Sequence, residues 1–466
     1  NLAYGSQGLA NAALTPVPAF YNASKVNFEP RVGFAYGVNA NTVIHGGFGI
    51  FDNRDPEAVF DPARQNPPFF ASLGICCGTS SAPFKNGQIL YALGTSDSPT
   101  SYPANPVLAQ PINPATGGPN GLMATVYGTQ PIMPTNYVEE WSFDIEHDLG
   151  GNWIMDLGYQ GSAGRHGLRL VYQNYLFPVP AYEGKNNAVT NTGNCAPYTS
   201  IACTPAFGLY EPMPDADSSY NAFLFTLKHT WTSGLTVAAN YRYSKSLDVV
   251  SYGGPGFVTN EIWPQNWKLD YGPSDYNAPN DLVVWGSYVL PIARHAQGLE
   301  REALGGWQIG GVMTMHSGFP WTPVTGQSVV TPAGPSLSPL APTAYYGGVI
   351  INPTQSQWLQ PGGIFPLGAS HYFNITSSGP PGIGRNSFTG PGFWNTDMNF
   401  AKNFALPFEE GAQLTVRADF FNIFNQLNYA PFGFDSASTN TGSQQFGMAT
   451  AGLAGRVTEL SARLTF

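Results

Sequence analysis

Asp144 and Glu146 stand two residues apart and are the nearest approach in this chain to a catalytic pair of carboxylates. On an extended segment both side chains leave the same face, as the acid and base of a glycoside-cleaving site would have to. Their neighbours argue for something plainer. Trp141, Phe143 and Ile145 alternate with Ser142, Asp144 and Glu146, the pattern of a strand with one apolar and one polar face. The two carboxylates therefore read as polar lining. The seven histidines are scattered, with no His-x-x-x-His or similar ligand pair. Gly382-Ile383-Gly384 is too short for a phosphate-binding loop. No catalytic residue, cofactor or metal is expected.

The cysteines are four: Cys76, Cys77, Cys195 and Cys203, none at zinc-binding spacing. Cys195 and Cys203 share a polar, Asn- and Pro-rich stretch and are expected to close a small disulfide, which fits an oxidising compartment. Cys76 and Cys77 are adjacent, so they are either a strained pair or two free thiols.

Composition narrows the class. Only 10% of the 466 residues are charged, against roughly 25% in typical soluble domains. Aromatics reach 14%, and 54 Gly and 41 Pro are too many for a helical protein. The net charge of -10 disfavours nucleic acid as a partner. The longest apolar stretch, Leu282 to Ala293, is too short for a transmembrane helix. No signal peptide is visible, and the chain opens on Asn1; it reads as a fragment or a processed chain.

The elements that position the polar residues are strands of period two. Val32, Phe34, Tyr36 and Val38 share a face, then Asn39-Ala40-Asn41 turns the chain. Trp153, Met155, Leu157 and Tyr159 oppose Asp156 and Gln160; Phe223, Phe225, Leu227 and Trp231 oppose Thr226 and Lys228; Leu235, Val237, Tyr241 and Tyr243 oppose Thr236, Asn240 and Arg242. Met398, Phe400 and Phe404 oppose Asp397 and Asn399, and Leu414, Val416, Ala418 and Phe420 oppose Arg417 and Asp419. Leu460, Ala462, Leu464 and Phe466 alternate with Ser461, Arg463 and Thr465, and the chain stops on that aromatic.

About eleven strands of membrane-spanning length result, joined alternately by short turns and long segments. The expected fold is all-β: a transmembrane antiparallel β-barrel, one domain over residues 1–466. Its short turns would be periplasmic. Its long loops, 52–135, 170–219, 248–279, 322–391 and 426–454, would face outward. Trp153, Trp231 and Trp307 lie near short connections in the apolar sets and are expected, with Phe466, at a membrane interface. Lys402 falls on the apolar face near a turn and is expected to reach the headgroups. Asp144, Glu146, Asp156, Lys228, Arg242, Arg417, Asp419 and Arg463 would line a wet lumen. The same charges would suit the solvated face of a soluble sandwich, so the loops and the last strand carry the distinction.

Certain segments are similar to a known family. Phe28-Glu29-Pro30-Arg31-Val32-Gly33-Phe34, Gly46-Gly47-Phe48-Gly49, Leu304-Gly305-Gly306-Trp307, Gly384-Arg385-Asn386, the run from Arg417 to Asn425, Phe446-Gly447 and terminal Phe466 resemble TonB-dependent outer-membrane receptors of the Oar-like, carboxypeptidase-regulatory-domain type. The resemblance implies a bacterial outer-membrane protein and the C-terminal half of a 22-stranded barrel. It implies outer-membrane lipid, a TonB-type energy-coupling protein reached through a missing N-terminal part, and the barrel-assembly machinery as partners. The ligand, whether oligosaccharide, peptide or chelate, is not named by the sequence, and the ligand-binding residues are unknown. A secreted or surface-anchored β-rich adhesin without transport is the other reading.

Overall fold

A computed structural model describes residues 26–53, 132–172, 207–251, 267–293, 298–325, 344–375, 382–406, 412–432 and 436–466, with a few short segments outside these ranges. All four cysteines lie outside the described residues, and with them the expected disulfide.

Period-two patterning builds one large antiparallel sheet. Its strands are β1 (Arg31–Asn39), β2 (Thr42–Asn53), β3 (Asn136–Gly150), β4 (Trp153–Tyr172), β5 (Phe207–Thr230), β6 (Leu235–Asp248), β7 (Asn280–Val289), β8 (Trp307–His316), β9 (Phe393–Ala405), β10 (Gln413–Phe421) and β11 (Val457–Thr465). These eleven follow one another across the sheet in chain order, so β1 and β11 are its two edges. Ala124–Tyr127 and Gly272–Pro273 add short pairings beside β5 and β6.

The turns explain the tight hairpins. Gly151 and Asn152, at φ 61° and 66°, take the two left-handed positions between β3 and β4, the backbone that matches the twist of a two-residue hairpin. Asp148 accepts from the Gly150 N–H at 2.8 Å to brace it.

β4 and β5 outrun the pattern. Leu170 and the segment from Phe207 to Ser219, expected as loop, are strand. The pairing of β4 with β5 slips between Met213 and Ala216 and again before Ser218. Pro214 lies in the first slip and has no N–H to give the ladder. Each bulge breaks the alternation that marks a strand in sequence.

Register gives the sheet two unlike faces. Tyr36, Ile44, Ile145, Leu157, Phe225, Tyr241, Leu282, Met315 and Trp394 stand opposite one another from β1 to β9. The row one residue away on each strand, on the other face, holds His45, Asp144, Gly158, Leu224, Arg242, Asp281 and His316. The apolar face is uncovered: Phe34, Phe143, Phe223 and Leu460 are 55%, 43%, 45% and 80% exposed. Buried apolar side chains gather instead in a cap made from the connections after β8 and β10.

Gly46 marks how closely the strands are packed. A Cβ there would lie 2.7 Å from the Ser142 carbonyl oxygen and 3.1 Å from the Phe34 ring. The carbonyl belongs to the ladder and cannot move aside. Gly46→Val is expected to cost about 1–3 kcal/mol, seen as a lower urea midpoint of the barrel purified from outer membranes; an unchanged midpoint would show that β2 and β3 are free to separate.

Candidate ligand-facing wall and outer cap

The polar face is assembled by register alone. Asp144 and Glu146 leave it from β3, and Asp156 stands opposite Glu146 on β4. Lys228, from β5, and Arg242, from β6, share that face through the pairs Thr226–Asn240 and Leu224–Arg242. Asp419 and Arg417 follow on β10, opposite Asn399 and Ala401. Arg463 on β11 faces Thr415. All eight polar residues singled out in the sequence therefore lie on one side of the sheet.

Several find partners there. Arg242 donates to Asp281 at 2.7 Å. The Arg417 Nε donates to Asp419 at 2.8 Å. His45 lies 3.6 Å from Asp144. Lys228 and Arg463 make no ion pair among the described residues. Asp144, Glu146 and Asp156 form an acidic group rather than an acid–base pair, and the described residues contain no cluster fit for a metal ion.

Trp153 and Trp307 lie on the apolar face, the former beside the tight β3–β4 turn, and Trp231, just past β5, packs edge-on to Trp153 with ring centroids 6.0 Å apart. His229, buried, is packed against both Trp153 and Trp231, with ring centroids 4.2 Å from Trp153 and 3.8 Å from Trp231. Its Nε2 is 2.9 Å from the Gly151 carbonyl oxygen, which ties neighbouring hairpins together. Lys402 does not reach outward for headgroups. It is 7% exposed, and its Nζ donates to the Gly305 carbonyl at 2.7 Å. The Trp307 and Phe404 rings lie 5.1 and 4.8 Å from that ammonium. A turn carbonyl and two π-faces satisfy the charge locally, which removes the reason to snorkel. Phe466 is 74% exposed at the end of β11.

The cap is the feature that strand patterning does not reveal. Trp321, Trp358, Phe365, Phe373, Phe388, Phe432 and Phe446 form an aromatic core; all but Trp321 come from segments expected as loop. Phe365 stacks on Phe446 with centroids 5.0 Å apart. Gly363 and Gly447, both at positive φ, let the two connections touch backbone to backbone.

Arg385 clamps this cap to the connection between β6 and β7. Its guanidinium donates to the Asp248 carboxylate at 2.6 Å, the Asp248 carbonyl at 3.0 Å, Ser251 Oγ at 2.6 Å and Asp275 at 2.9 Å. Next to it Asn386, at φ 55°, donates to the Pro273 carbonyl and to Asp275. A second asparagine-based device ends β10. Asn422, at φ 51°, bonds Gln426 through both its amide groups, while its own N–H goes to Asp397 at 2.8 Å. These are the Gly384-Arg385-Asn386 and Arg417-to-Asn425 stretches that carry the family resemblance in the sequence.

A single-layer antiparallel sheet with an uncovered apolar face, a charged opposite face and all its long connections at one end is the wall of a membrane-spanning β-barrel. Residues 2–459 match the outer membrane beta barrel domain family, and the chain belongs to it. It is a bacterial outer-membrane protein. No curated protein matches. Among solved structures it is similar to the outer-membrane transporter YddB from Escherichia coli, at 9% identity and a TM-score of 0.46, over 94% of this chain and 40% of that one. It is also similar to the FrpB iron transporter from Neisseria meningitidis, at 10% identity and a TM-score of 0.41, over 94% and 39%. The ferripyoverdine receptor of Pseudomonas aeruginosa gives 10% and 0.39, over 94% and 32%. The chain thus spans two fifths or less of the length of each.

The Arg385 clamp makes a checkable demand. Asp248 is 2% exposed, so Arg385→Ala strands a buried carboxylate, at about 3–5 kcal/mol. Amide hydrogen exchange at residues 246–251 and 272–275 is expected to rise at least tenfold, with the β2–β3 ladder unchanged. Unaltered exchange in both segments would show that the clamp holds nothing.

Proposed function

We propose that this chain forms part of the barrel of a TonB-dependent outer-membrane receptor or transporter, which binds or takes up a ligand through its outward connections and polar wall. One observation carries the reading. An antiparallel sheet of eleven strands has first and last strands that run the same way, and among the described residues β1 and β11 are both unpaired on their outer sides. In lipid an unpaired N–H or C=O costs several kcal/mol, and bacterial single-chain barrels hold even numbers of strands. An even, fully antiparallel closure therefore takes an odd number of further strands. Two copies of this sheet cannot supply it, since each seam would join strands of the same direction. The 22-stranded transporter class fits this parity.

The motifs that resemble the TonB-dependent family also support the reading, because they do visible structural work in the cap and at the strand ends. Energy coupling by a TonB-type protein and insertion by the barrel-assembly machinery belong to the proposal. The ligand is an oligosaccharide, a peptide or a chelate. A free-standing adhesin is disfavoured by the uncovered band of Phe34, Tyr36, Phe143, Phe223 and Tyr243, which water would not tolerate as a contiguous face.

Residues 1–466, expressed and refolded alone in detergent, are expected to aggregate and to give no channel in a planar bilayer. A monomer that resists SDS until heated, and that conducts ions, would show that the eleven strands close by themselves, against the proposal.

A further inference from the structure

The polar face changes character near β1. Farther along it several polar side chains pair with one another: Thr226 donates to Asn240 at 3.1 Å, Arg242 to Asp281 at 2.7 Å, Thr415 to Asn403 at 2.7 Å and Asn395 to Asp397 at 2.8 Å. In the outer half of β1 to β5 a cluster of five stands without such pairs. Glu140, Ser142, Gln160, Ser162 and Tyr220 line one hollow of about 680 Å³, and among the described residues their side chains make no hydrogen bond or ion pair.

Register shows why the hollow exists. Arg31, Gly49, Glu140, Ser162 and Tyr220 stand in one row across the five strands, and Gly33, Gly47, Ser142 and Gln160 in the next. Three glycines lower the floor at the β1–β2 side. Five strands make a strip roughly 19 Å long, and two same-face rows lie roughly 7 Å apart. The cavity is in the small-molecule range of about 300–1,000 Å³.

We propose that this hollow is a binding subsite for a short neutral oligosaccharide; the inference rests on the polar face being the wall of a wet passage. Charge decides against an anionic chelate. Arg31 is already neutralised by Glu29 and lies 4.6 Å above the Phe51 ring, while Glu140 is unpaired. A ligand rich in negative charge would meet a net negative site. An extended peptide lacks its usual handle, because the backbone groups of β2, β3 and β4 are consumed by ladders on both sides. A polyhydroxyl ligand needs neither. Its hydroxyls both donate and accept, matching the free carboxylate, amide, two serine hydroxyls and phenol, and the Tyr220 ring offers an apolar face to a sugar ring.

Calorimetry on the protein purified from outer membranes, with maltotriose, cellotriose and N-acetylchitotriose as probes, tests this. At least one trisaccharide is expected to bind. Gln160→Ala and Tyr220→Ala are each expected to weaken it tenfold or more. Gly33→Leu fills the hollow from a position whose new Cβ has only one neighbour, the Gly46 carbonyl at 3.6 Å, and is expected to abolish binding. Thr415→Ala, far across the wall, is expected to change nothing. Failure of all three probes, equal binding by the hollow variants, or preferential binding of citrate or trialanine would overturn the assignment. Ser162→Cys separates this from the wider reading. If a water-soluble maleimide labels it while no sugar binds, the subsite falls and the wet passage stands. If only a lipid-borne maleimide labels it, both fall.

Discussion

The backbone hydrogen bond across neighbouring strands is the constraint on which everything else in this protein depends. A lipid bilayer offers no water to an N–H or C=O group, so each spanning residue must be paired sideways. The sheet meets this demand over all of its interior strands with long, nearly unbroken registers, such as the thirteen consecutive pairs between β5 and β6. Once the backbone is satisfied in a single layer, the side chains need no buried core inside the wall. They sort by parity instead, with aromatics and aliphatics on one face and charges on the other. The glycines at positions 46, 158, 161 and 310 sit where a neighbouring carbonyl or side chain already fills the space of a Cβ.

The connections beyond the wall obey the opposite rule. Among the described residues these connections carry only short ladders, such as Pro320–Trp321 against Phe388–Thr389, and satisfy much of their backbone by other means. Here they do so with an aromatic core and with asparagine and arginine side chains that bond main-chain groups. Asn386, Asn422 and Asn425 occupy the left-handed backbone region that asparagine enters at low cost. Asn428 bonds both the N–H and the carbonyl of Trp394, which fixes the cap to the top of β9. The cap is thus a small folded body, held to the sheet at defined points, and Arg385 joins it to the connection that follows β6.

Much of the wall was legible in the sequence because parity is a local property. Phe223, Phe225 and Leu227 against Thr226 and Lys228 specify a strand and its two faces within six residues. Asp144 on β3 and Arg463 on β11, far apart in the sheet, fall on the same face, and the alternation of each with its own neighbours is enough to place it. The outer reach of β5 was not legible, since Pro214 and the bulges around it break the alternation. Nor was the cap, whose aromatics lie in Pro- and Gly-rich segments without a period. Arg385 drew notice only as part of a familiar motif; its chief partner, Asp248, is 137 residues away, and no local pattern links them. Parity alone puts Lys402 on the apolar face, but its ammonium is held by Gly305 and two rings that only the fold brings together.

The central claim is that one face of this sheet meets lipid and the other meets water. Nitroxide labels placed singly at residues 223 to 228 in the membrane-inserted protein test it most directly, read by collision with oxygen, which concentrates in lipid, and with a nickel chelate, which stays in water. The account predicts that 223, 225 and 227 favour oxygen and that 224, 226 and 228 favour nickel, a strict alternation along β5. Uniform nickel access at all six positions would contradict it and leave a water-borne sheet.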